Sequence, residues 1–169
     1  MKLKPLFTKE QILRACGQIA SQIREQIHSP RINVVYLLEG AIPFTETLSL
    51  FLEPYYEIVY YPIKISTYEN TKSVHNPYTA FDFSTIYDRP TLIVDDICDT
   101  GKTLKYINDT IKVSKRINVV LLDKPSRRQV EFKPDLVGFT IDDVFVVGYG
   151  LDLNGKFRNL DHIAFVEEV

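Results

Sequence analysis

The segment Leu92–Leu104 constrains the fold most, because an apolar run leads directly into an acidic, glycine-containing turn. Thr91–Val94 is typical of a buried strand, and it ends at the adjacent pair Asp95 and Asp96. The loop around Gly101 then enters a helix. Ligands of open α/β sheets bind just beyond the carboxyl ends of strands, and backbone N–H groups at a helix N-terminus attract anions. The segment therefore predicts a site for an anionic ligand.

The side chains of this segment match a phosphorylated ribose. Adjacent acids suit the vicinal hydroxyls of a sugar, or a divalent cation with its waters. Thr100, Lys102 and Thr103 add donors for a phosphate. Taken singly, Asp99 or Thr100 fits the N-cap of the following helix as well as it fits a functional role. The spacing differs from that of a P-loop, which requires G-x-x-x-x-G-K-[ST].

Strands and helices alternate along most of the chain, which indicates an α/β fold with a mainly parallel sheet. The first helix begins with the capping-box pair Thr8 and Gln11 and ends by Pro30. Ile32–Leu38 is apolar on both faces, as strands inside parallel sheets are. The other predicted elements are a helix from Pro43 to before Pro54, a strand over Glu57–Thr67, a helix from Gly101 through about Val113, and strands over Ile117–Leu122, Leu136–Ile141, Val144–Val147 and Ile163–Val166.

One long stretch, from Glu69 to Arg89, lacks a sustained hydrophobic period and contains several Asn, Ser and Asp residues. We predict a long loop there, with or without a short hairpin. Loops of this length in compact domains are usually lids or disordered segments.

Composition narrows the classes of partner. The 169 residues suit one domain, 1–169, and 20 Lys and Arg against 22 Asp and Glu give a net charge of −2. Without a basic stripe, the chain is not expected to bind nucleic acid. No membrane contact is expected either, because the best candidate span, Ile32–Phe44, is short and is interrupted by Glu39. Cys16 and Cys98 are isolated, so a reduced, cytoplasmic protein is predicted.

Beyond these patterns, the sequence resembles a known family. Val94–Thr103 looks like the motif with which type I phosphoribosyltransferases bind 5-phosphoribosyl 1-pyrophosphate (PRPP). Four later segments are similar, in order, to parts of hypoxanthine-guanine phosphoribosyltransferases, namely Leu121–Arg128, Pro134–Phe139, Phe145–Asp152 and Phe157–Leu160. The resemblance implies the type I phosphoribosyltransferase fold, a mainly parallel central sheet flanked by helices, with a small hood region and a flexible lid loop. It also implies Mg²⁺-dependent purine salvage, in which PRPP and a 6-oxopurine base, hypoxanthine or guanine, form a nucleotide and pyrophosphate.

The resemblance assigns roles to residues of a purine site. Asp99 would be the general base at N7 of the purine, a task that a carboxylate within reach can perform. Lys124 would donate to O6 and so select oxo- over amino-purines. Phe145 would stack on the base, the backbone of Val146 would read its edge, and Asp152 would lie beside it. By pattern alone, Phe145 and Val146 are strand core and Lys124 is a solvated side chain.

The resemblance also implies a PRPP site. Its ribose and phosphate contacts would be Asp95, Asp96, Asp99, Thr100, Gly101, Lys102 and Thr103. Its pyrophosphate contacts would be Leu38, Glu39, Gly40, Thr67, Tyr68 and Arg158. Asp95 and Asp96 would hold Mg²⁺, and Asp152 would hold a second magnesium ion. The partners implied are these small-molecule substrates and further copies of the chain, in a homodimer or homotetramer. A lid is expected to exclude water from the cation-like ribose, and Glu69–Arg89 is the candidate.

Three positions depart from the family pattern. Glu39 stands where the family has lysine in Leu-Lys-Gly, a turn with a non-proline cis peptide whose amides meet pyrophosphate. We predict that its side chain points away from pyrophosphate, toward a subunit interface. Asp95 replaces a glutamate of many relatives, and Thr67 replaces the serine of the usual Ser-Tyr pair. Glu39 favours one alternative, a PRPP-sensing regulator on the same fold. Phosphoester hydrolysis at Asp95 and Asp96 is a weaker alternative, because it leaves the purine-site residues unexplained.

Overall fold

The computed structural model describes residues 1–69 and 75–167, which form three sheets and three α-helices. The helices are α1 Lys9–Gln26, α2 Ile42–Leu52 and α3 Lys102–Thr110. The strands are β1 Lys2–Phe7, β2 Arg31–Leu38, β3 Glu57–Lys64, β4 Ser66–Glu69, β5 His75–Tyr78, β6 Thr91–Cys98, β7 Arg116–Asp123, β8 Leu136–Thr140, β9 Val146–Val147 and β10 Ile163–Glu167. None of the helices in these ranges is long and apolar enough to cross a bilayer.

The central sheet has five parallel strands in the order β3-β2-β6-β7-β8. This arrangement is the type I phosphoribosyltransferase fold that the sequence predicted. From β2 the chain continues to β3 at one edge of the sheet, whereas from β6 it continues through β7 to β8 at the other edge. The topological switch point therefore lies between the carboxyl ends of the neighbouring strands β2 and β6. Open α/β sheets bind ligands at such a point.

The two faces of the sheet carry separate apolar layers, which explains why its inner strands are apolar on both sides. Ile32 and Val34 of β2 pack in one layer with α1 and α2, whereas Val35 and Leu37 pack in the other layer with α3. Alternate side chains of a strand point to opposite faces, so a strand covered on both faces is apolar throughout.

The capping box that predicted the start of α1 is present. Gln11 N–H donates to the Thr8 hydroxyl, and the Gln11 side chain accepts from the Thr8 N–H. Several predicted boundaries need correction. β6 continues through the two acids to Cys98 because its ladder with β7 extends that far, and α3 ends at Thr110 rather than near Val113.

A second sheet, antiparallel and in the order β1-β10-β9, forms the hood. The strand β1 was not predicted, because its apolar residues alternate poorly and Pro5 interrupts the pattern. The register of β1 against β10 shifts between Pro5 and Phe7. Phe7 then stacks on Phe139 of β8, with ring centroids 3.9 Å apart, and joins the hood to the central sheet.

The predicted strand over Glu57–Thr67 is wrong as a single element, since β3 ends at Lys64 and β4 begins after Ile65. β4 pairs with β5 as an antiparallel hairpin, which is the short hairpin considered for the long loop. The predicted lid Glu69–Arg89 therefore contains β5 and a 3₁₀ turn at Phe83–Thr85, and its residues 70–74 lie outside the described residues.

Candidate active site

The two adjacent acids of β6 line two neighbouring cavities at the carboxyl end of the sheet. Asp96 lines the larger cavity and Asp95 the smaller one. Burial raises the pKa of Asp95 well above its usual range, and the charge of Asp96 adds to this effect. Burial also raises the pKa of Asp96, against the hydrogen bond that Ile97 N–H donates to it. Carboxylates in such surroundings are stabilised in their charged form by a cation or by hydrogen-bond donors.

The smaller cavity, about 80 Å³, lies at the N-terminus of α3 and contains the predicted phosphate loop. Gly101 is the residue before the helix, with a positive φ of 84° that glycine adopts readily, and it has no side chain to cap the helix. The hydroxyl of Thr100, one residue earlier, accepts from the Lys102 N–H at 3.4 Å. Neither Asp99 nor Thr100 occupies the N-cap position of α3, although Thr100 bonds the first N–H of the helix, and the helix N-terminus lies at the cavity. The cavity is lined by Asp95, Ile97, Cys98, Asp99, Thr100, Gly101, Thr103 and Leu104, and Lys102 is the first residue of α3.

Arg128 fixes this loop to the end of β7, and sequence reasoning missed it. Its guanidinium donates to the Asp99 carbonyl oxygen at 2.7 Å, to Cys98 Sγ at 2.8 Å and to the Asp123 carboxylate at 2.5 Å. A Cβ at Gly101 would lie 2.7 Å from Arg128 Cδ, so glycine also leaves room for this side chain. The only signal in the sequence was an arginine following a buried strand.

The larger cavity, about 520 Å³, brings the predicted purine residues together. Lys124 follows β7 and is only 7% exposed, which is unusual for a lysine, and its N–H donates to the Cys98 carbonyl. Phe145 is 51% exposed, so its ring is available to a ligand, whereas Val146 is buried. The lining residues are Asp96, Ile97, Asp99, Lys124, Arg127, Asp143, Phe145, Val146, Gly150, Leu151, Asp152 and Arg158.

Asp152 and Arg158, predicted to hold metal and pyrophosphate, form an ion pair on one wall of this cavity. Arg158 Nη2 lies 3.1 Å from Asp152 Oδ1, and Arg158 Nη1 donates to the Gly150 carbonyl at 2.8 Å. Asp152 Oδ2 accepts from the Gly155 N–H at 2.7 Å. These bonds hold both side chains in the loop that follows β9.

The turn Leu38–Gly40 reaches the same site. The Leu38–Glu39 peptide bond is cis, as the resemblance implied. A Cβ at Gly40 would lie 2.1 Å from Asp96 Oδ2, so a side chain there would displace the Asp96 carboxylate. Glu39 is exposed.

Thr67 and Tyr68 lie in β4, and Thr67 lines neither of the two cavities. Thr67 is exposed and its backbone is opposite Pro77. The side chain of Tyr68 lies outside what the structure describes. Thr67 is therefore a predicted site residue that the fold does not bring to the cavities in this conformation. Leu38, Glu39, Gly40 and Lys102 are not among the residues that line the two cavities either.

A second group of charges was missed by sequence reasoning. Arg127 Nε donates to Asp99 Oδ1 at 3.1 Å, and it lies 3.8 Å from Asp143 Oδ1. Asp143 Oδ1 in turn lies 3.9 Å from Lys124 Nζ. The hydrogen bond to Asp99 raises the pKa of Arg127, and the charge of Asp143 adds to the effect. Nothing in the sequence distinguishes Arg127 or Asp143 from ordinary surface charges.

The donors for a divalent cation are two carboxylates of the strand β6 and one carboxylate of the loop after β9. Among the residues that the structure describes, no three His, Cys, Asp or Glu side chains cluster as a metal site. Mg²⁺ is usually held by one or two carboxylates together with substrate phosphates and waters. The half-buried pair Asp95 and Asp96, and Asp152, which lines the larger cavity together with Asp96, fit that mode of binding.

The fold and these cavities define a phosphoribosyltransferase, and the comparisons agree. Residues 3–154 match the model of the phosphoribosyl transferase domain. The hypoxanthine-guanine phosphoribosyltransferases of Lactococcus lactis and Bacillus subtilis are each 34% identical to the chain over 97% of its length, covering 91% and 93% of those proteins.

Solved structures give the same result. A hypoxanthine phosphoribosyltransferase from Staphylococcus aureus superposes with a TM-score of 0.88 at 32% identity, covering 97% of this chain and 91% of that one. The enzyme from Trypanosoma cruzi in complex with the product IMP superposes with a TM-score of 0.86 at 30% identity, covering 97% and 94%. The chain belongs to the hypoxanthine-guanine phosphoribosyltransferase family. It is an enzyme of the pentosyltransferase class.

Proposed function

We propose that the chain transfers the 5-phosphoribosyl group of PRPP to hypoxanthine, guanine or both, giving IMP or GMP and pyrophosphate. One observation carries the proposal: Asp99, Lys124 and Phe145 line a single cavity beside the loop at the N-terminus of α3. A carboxylate that can accept the N7 proton, an ammonium that can donate to O6 and an aromatic ring that can stack on the base then lie next to a pocket for phosphate. The names of the relatives support the same reaction.

The purine is proposed to bind in the larger cavity. Phe145 supplies an exposed aromatic face for stacking, and the backbone of Val146 lies at the edge of the base. Lys124 donates to O6, and its burial strengthens the preference for an acceptor over an amino group. Asp99 accepts the N7 proton.

The ribose phosphate is proposed to bind in the smaller cavity. The N–H groups of residues 100–103 and the hydroxyls of Thr100 and Thr103 surround the 5′-phosphate at the start of α3. Asp95 and Asp96 accept from the ribose hydroxyls. A base in the larger cavity and a phosphate in the smaller one would place the anomeric carbon between them.

Pyrophosphate is proposed to leave between the turn Leu38–Gly40 and Arg158, with Thr67 and Tyr68 delivered by movement of the hairpin that carries them. Mg²⁺ held at Asp95 and Asp96, with a second ion at Asp152, would neutralise charge that develops on the leaving pyrophosphate. Arg158 donates to the same pyrophosphate, and its guanidinium gives up the ion pair with Asp152 when the substrate binds. Water must be excluded while the ribose is cation-like, and Glu69–Arg89 is the proposed lid.

Assembly, domain organisation and location are also proposed. We infer one domain over 1–169, a homodimer or homotetramer, and a cytoplasmic location. A study of the enzyme from Trypanosoma cruzi relates its C-terminal region to its oligomeric state. Sedimentation equilibrium of the purified chain would establish the number of copies.

A second function, a PRPP-binding regulator with little catalysis, is favoured by Glu39 alone. A negative side chain beside the pyrophosphate turn disfavours the anion, by about 1 kcal/mol at surface exposure. Reversion by Glu39→Lys should therefore lower the KM for PRPP several-fold, whereas Glu25→Lys on the exposed face of α1 should leave it unchanged. PRPP binding without turnover, in both the wild type and Glu39→Lys, would favour the regulator.

The test of the main proposal is a direct assay. Purified chain is mixed with PRPP, Mg²⁺ and each of hypoxanthine, guanine, xanthine and adenine, and nucleotide formation is followed. We expect turnover of a 6-oxopurine and none of adenine. Asp99→Asn should lower kcat about 10²–10⁴-fold, the usual contribution of general acid–base catalysis. No turnover with any base would overturn the proposal.

A further inference from the structure

Four charged side chains of alternating sign run along one wall of the larger cavity. They are connected in the order Asp99, Arg127, Asp143 and Lys124, with contacts of 3.1 Å, 3.8 Å and 3.9 Å between successive members. The two ends of this charge chain are the carboxylate proposed to meet N7 and the ammonium proposed to meet O6. Its two middle members have no role in the reaction as described so far.

The four side chains differ in exposure, and the exposed ones need a partner to hold them in place. The Lys124 side chain is 9% exposed, whereas those of Asp99, Arg127 and Asp143 are 41%, 43% and 56% exposed. A half-exposed carboxylate such as Asp99 rotates freely unless a partner fixes it, and exposed ion pairs add little to stability. The middle of the charge chain therefore acts on the geometry of its ends more than on folding.

The contact between Arg127 and Asp99 uses only one oxygen of the carboxylate. Nε donates to Oδ1. An ionised carboxylate has a second oxygen that can accept independently, so Oδ2 can meet the purine while Oδ1 stays bound to arginine. A base that is oriented by a third group is a recurring arrangement in enzymes.

We propose that Arg127 and Asp143 are positioning residues for the 6-oxopurine. Arg127 orients Asp99 toward N7. Asp143 holds both Arg127 and Lys124 in place, so that the Asp99 carboxylate and the Lys124 ammonium are spaced to meet N7 and O6. This inference rests on the proposed function. Asp143 is the junction, because one oxygen, Oδ1, faces both cations. Its removal should disturb both ends of the charge chain at once.

The experiment compares steady-state kinetics of four variants with the wild type, using hypoxanthine and PRPP. Arg127→Gln should lower kcat roughly tenfold, a part of the general-base contribution, with the KM for PRPP unchanged. Arg127→Lys keeps the charge and should recover part of that loss. Asp143→Asn should raise the KM for hypoxanthine roughly tenfold, the usual range for a weakened buried hydrogen bond, and should also lower kcat. Asp142→Asn, the adjacent exposed acid outside the cavity, is the matched control and should match the wild type.

The possible outcomes separate this inference from the proposed function. An active wild type whose Arg127→Gln and Asp143→Asn variants stay within twofold of it in both kcat and KM overturns the positioning roles alone. A uniform loss of activity in Asp143→Asn and Asp142→Asn also overturns them, because it would show a general effect of charge on that turn. A wild type that converts no 6-oxopurine overturns the proposed function, and this inference with it.

Discussion

At the scale of single residues, Arg128 shows how a side chain outside the larger cavity can determine the shape of the site. Its guanidinium joins the backbone of the phosphate loop to Asp123 at the end of β7. Both partners of that ion pair are largely buried, with side-chain exposures of 14% and 7%. Removing one member of a buried pair leaves the other charge without compensation, which destabilises by about 3–5 kcal/mol.

We therefore predict that Arg128→Met lowers the free energy of unfolding by about 3 kcal/mol and raises the KM for PRPP at least tenfold. The stability loss comes from Asp123, and the change in KM comes from the released carbonyl of Asp99. Urea unfolding and initial rates measure the two effects separately. Arg14→Met, on the exposed face of α1, is the control for loss of an arginine. A destabilised Arg128→Met with an unchanged KM would show that the residue supports β7 and not the loop.

The residues of the site differ in how far the sequence could identify them. Asp95, Asp96 and the loop to Thr103 were predictable from physical chemistry, because a buried strand followed by acids and a glycine turn has few other uses. Lys124 was identified by resemblance, since its 7% exposure depends on the packing after β7. Arg127 was not identifiable, because its partner Asp143 is sixteen positions away and meets it only in the folded chain.

At the scale of elements, the turn that starts α3 depends on a glycine in the left-handed region. Gly101 has a φ of 84°, and a Cβ there would also meet Arg128. Gly155 has a φ of 77°, but a Cβ there would meet nothing within 4 Å. The two glycines therefore separate the conformational effect of a side chain from the steric effect.

We predict that Gly155→Ala loses about 1 kcal/mol of stability and retains activity, because only the conformational term applies. Gly101→Ala should lose about 2–3 kcal/mol and bind PRPP at least tenfold more weakly, because the new methyl group displaces Arg128 or the loop. Thermal unfolding and isothermal titration with PRPP give the two quantities. Equal stability losses and equal PRPP affinities in the two variants would contradict the steric role of Gly101.

The central strands were predictable, whereas β1 was missed and the hairpin of β4 and β5 was left open, for reasons that lie in how strands are covered. β2, β6 and β7 are covered on both faces, so their sequences are apolar throughout and differ from loops. β1 is only partly covered, so polar residues are tolerated and its pattern is weak. β4 and β5 have four residues each, too few to show a clear period. The order of the strands depends on contacts between distant segments, and no local pattern records it.

At the scale of the whole molecule, the hood joins the beginning of the chain to its end and to the purine site. β1 pairs with β10, and β10 pairs with β9, where Ala164 is opposite Val147 and Phe165 is opposite Val146. Val146 lines the larger cavity. The first strand thus supports the residue that is proposed to read the edge of the purine.

Phe7 is the point at which this support can be tested, because its ring stacks on Phe139 at an interplanar angle of 16° and ties β1 to the central sheet. Phe7→Ala should lower the free energy of unfolding by about 2 kcal/mol, less than for a fully buried phenylalanine since Phe7 is half-buried. Because Val146 of the hood lines the larger cavity, where the base is proposed to bind, and no hood residue lines the smaller cavity, we expect the KM for hypoxanthine to rise while the KM for PRPP stays constant. Lys2→Ala in the same strand removes an exposed side chain and should change neither constant. If Phe7→Ala raised both KM values together, the hood would stabilise the whole carboxyl edge of the sheet and not the purine site in particular.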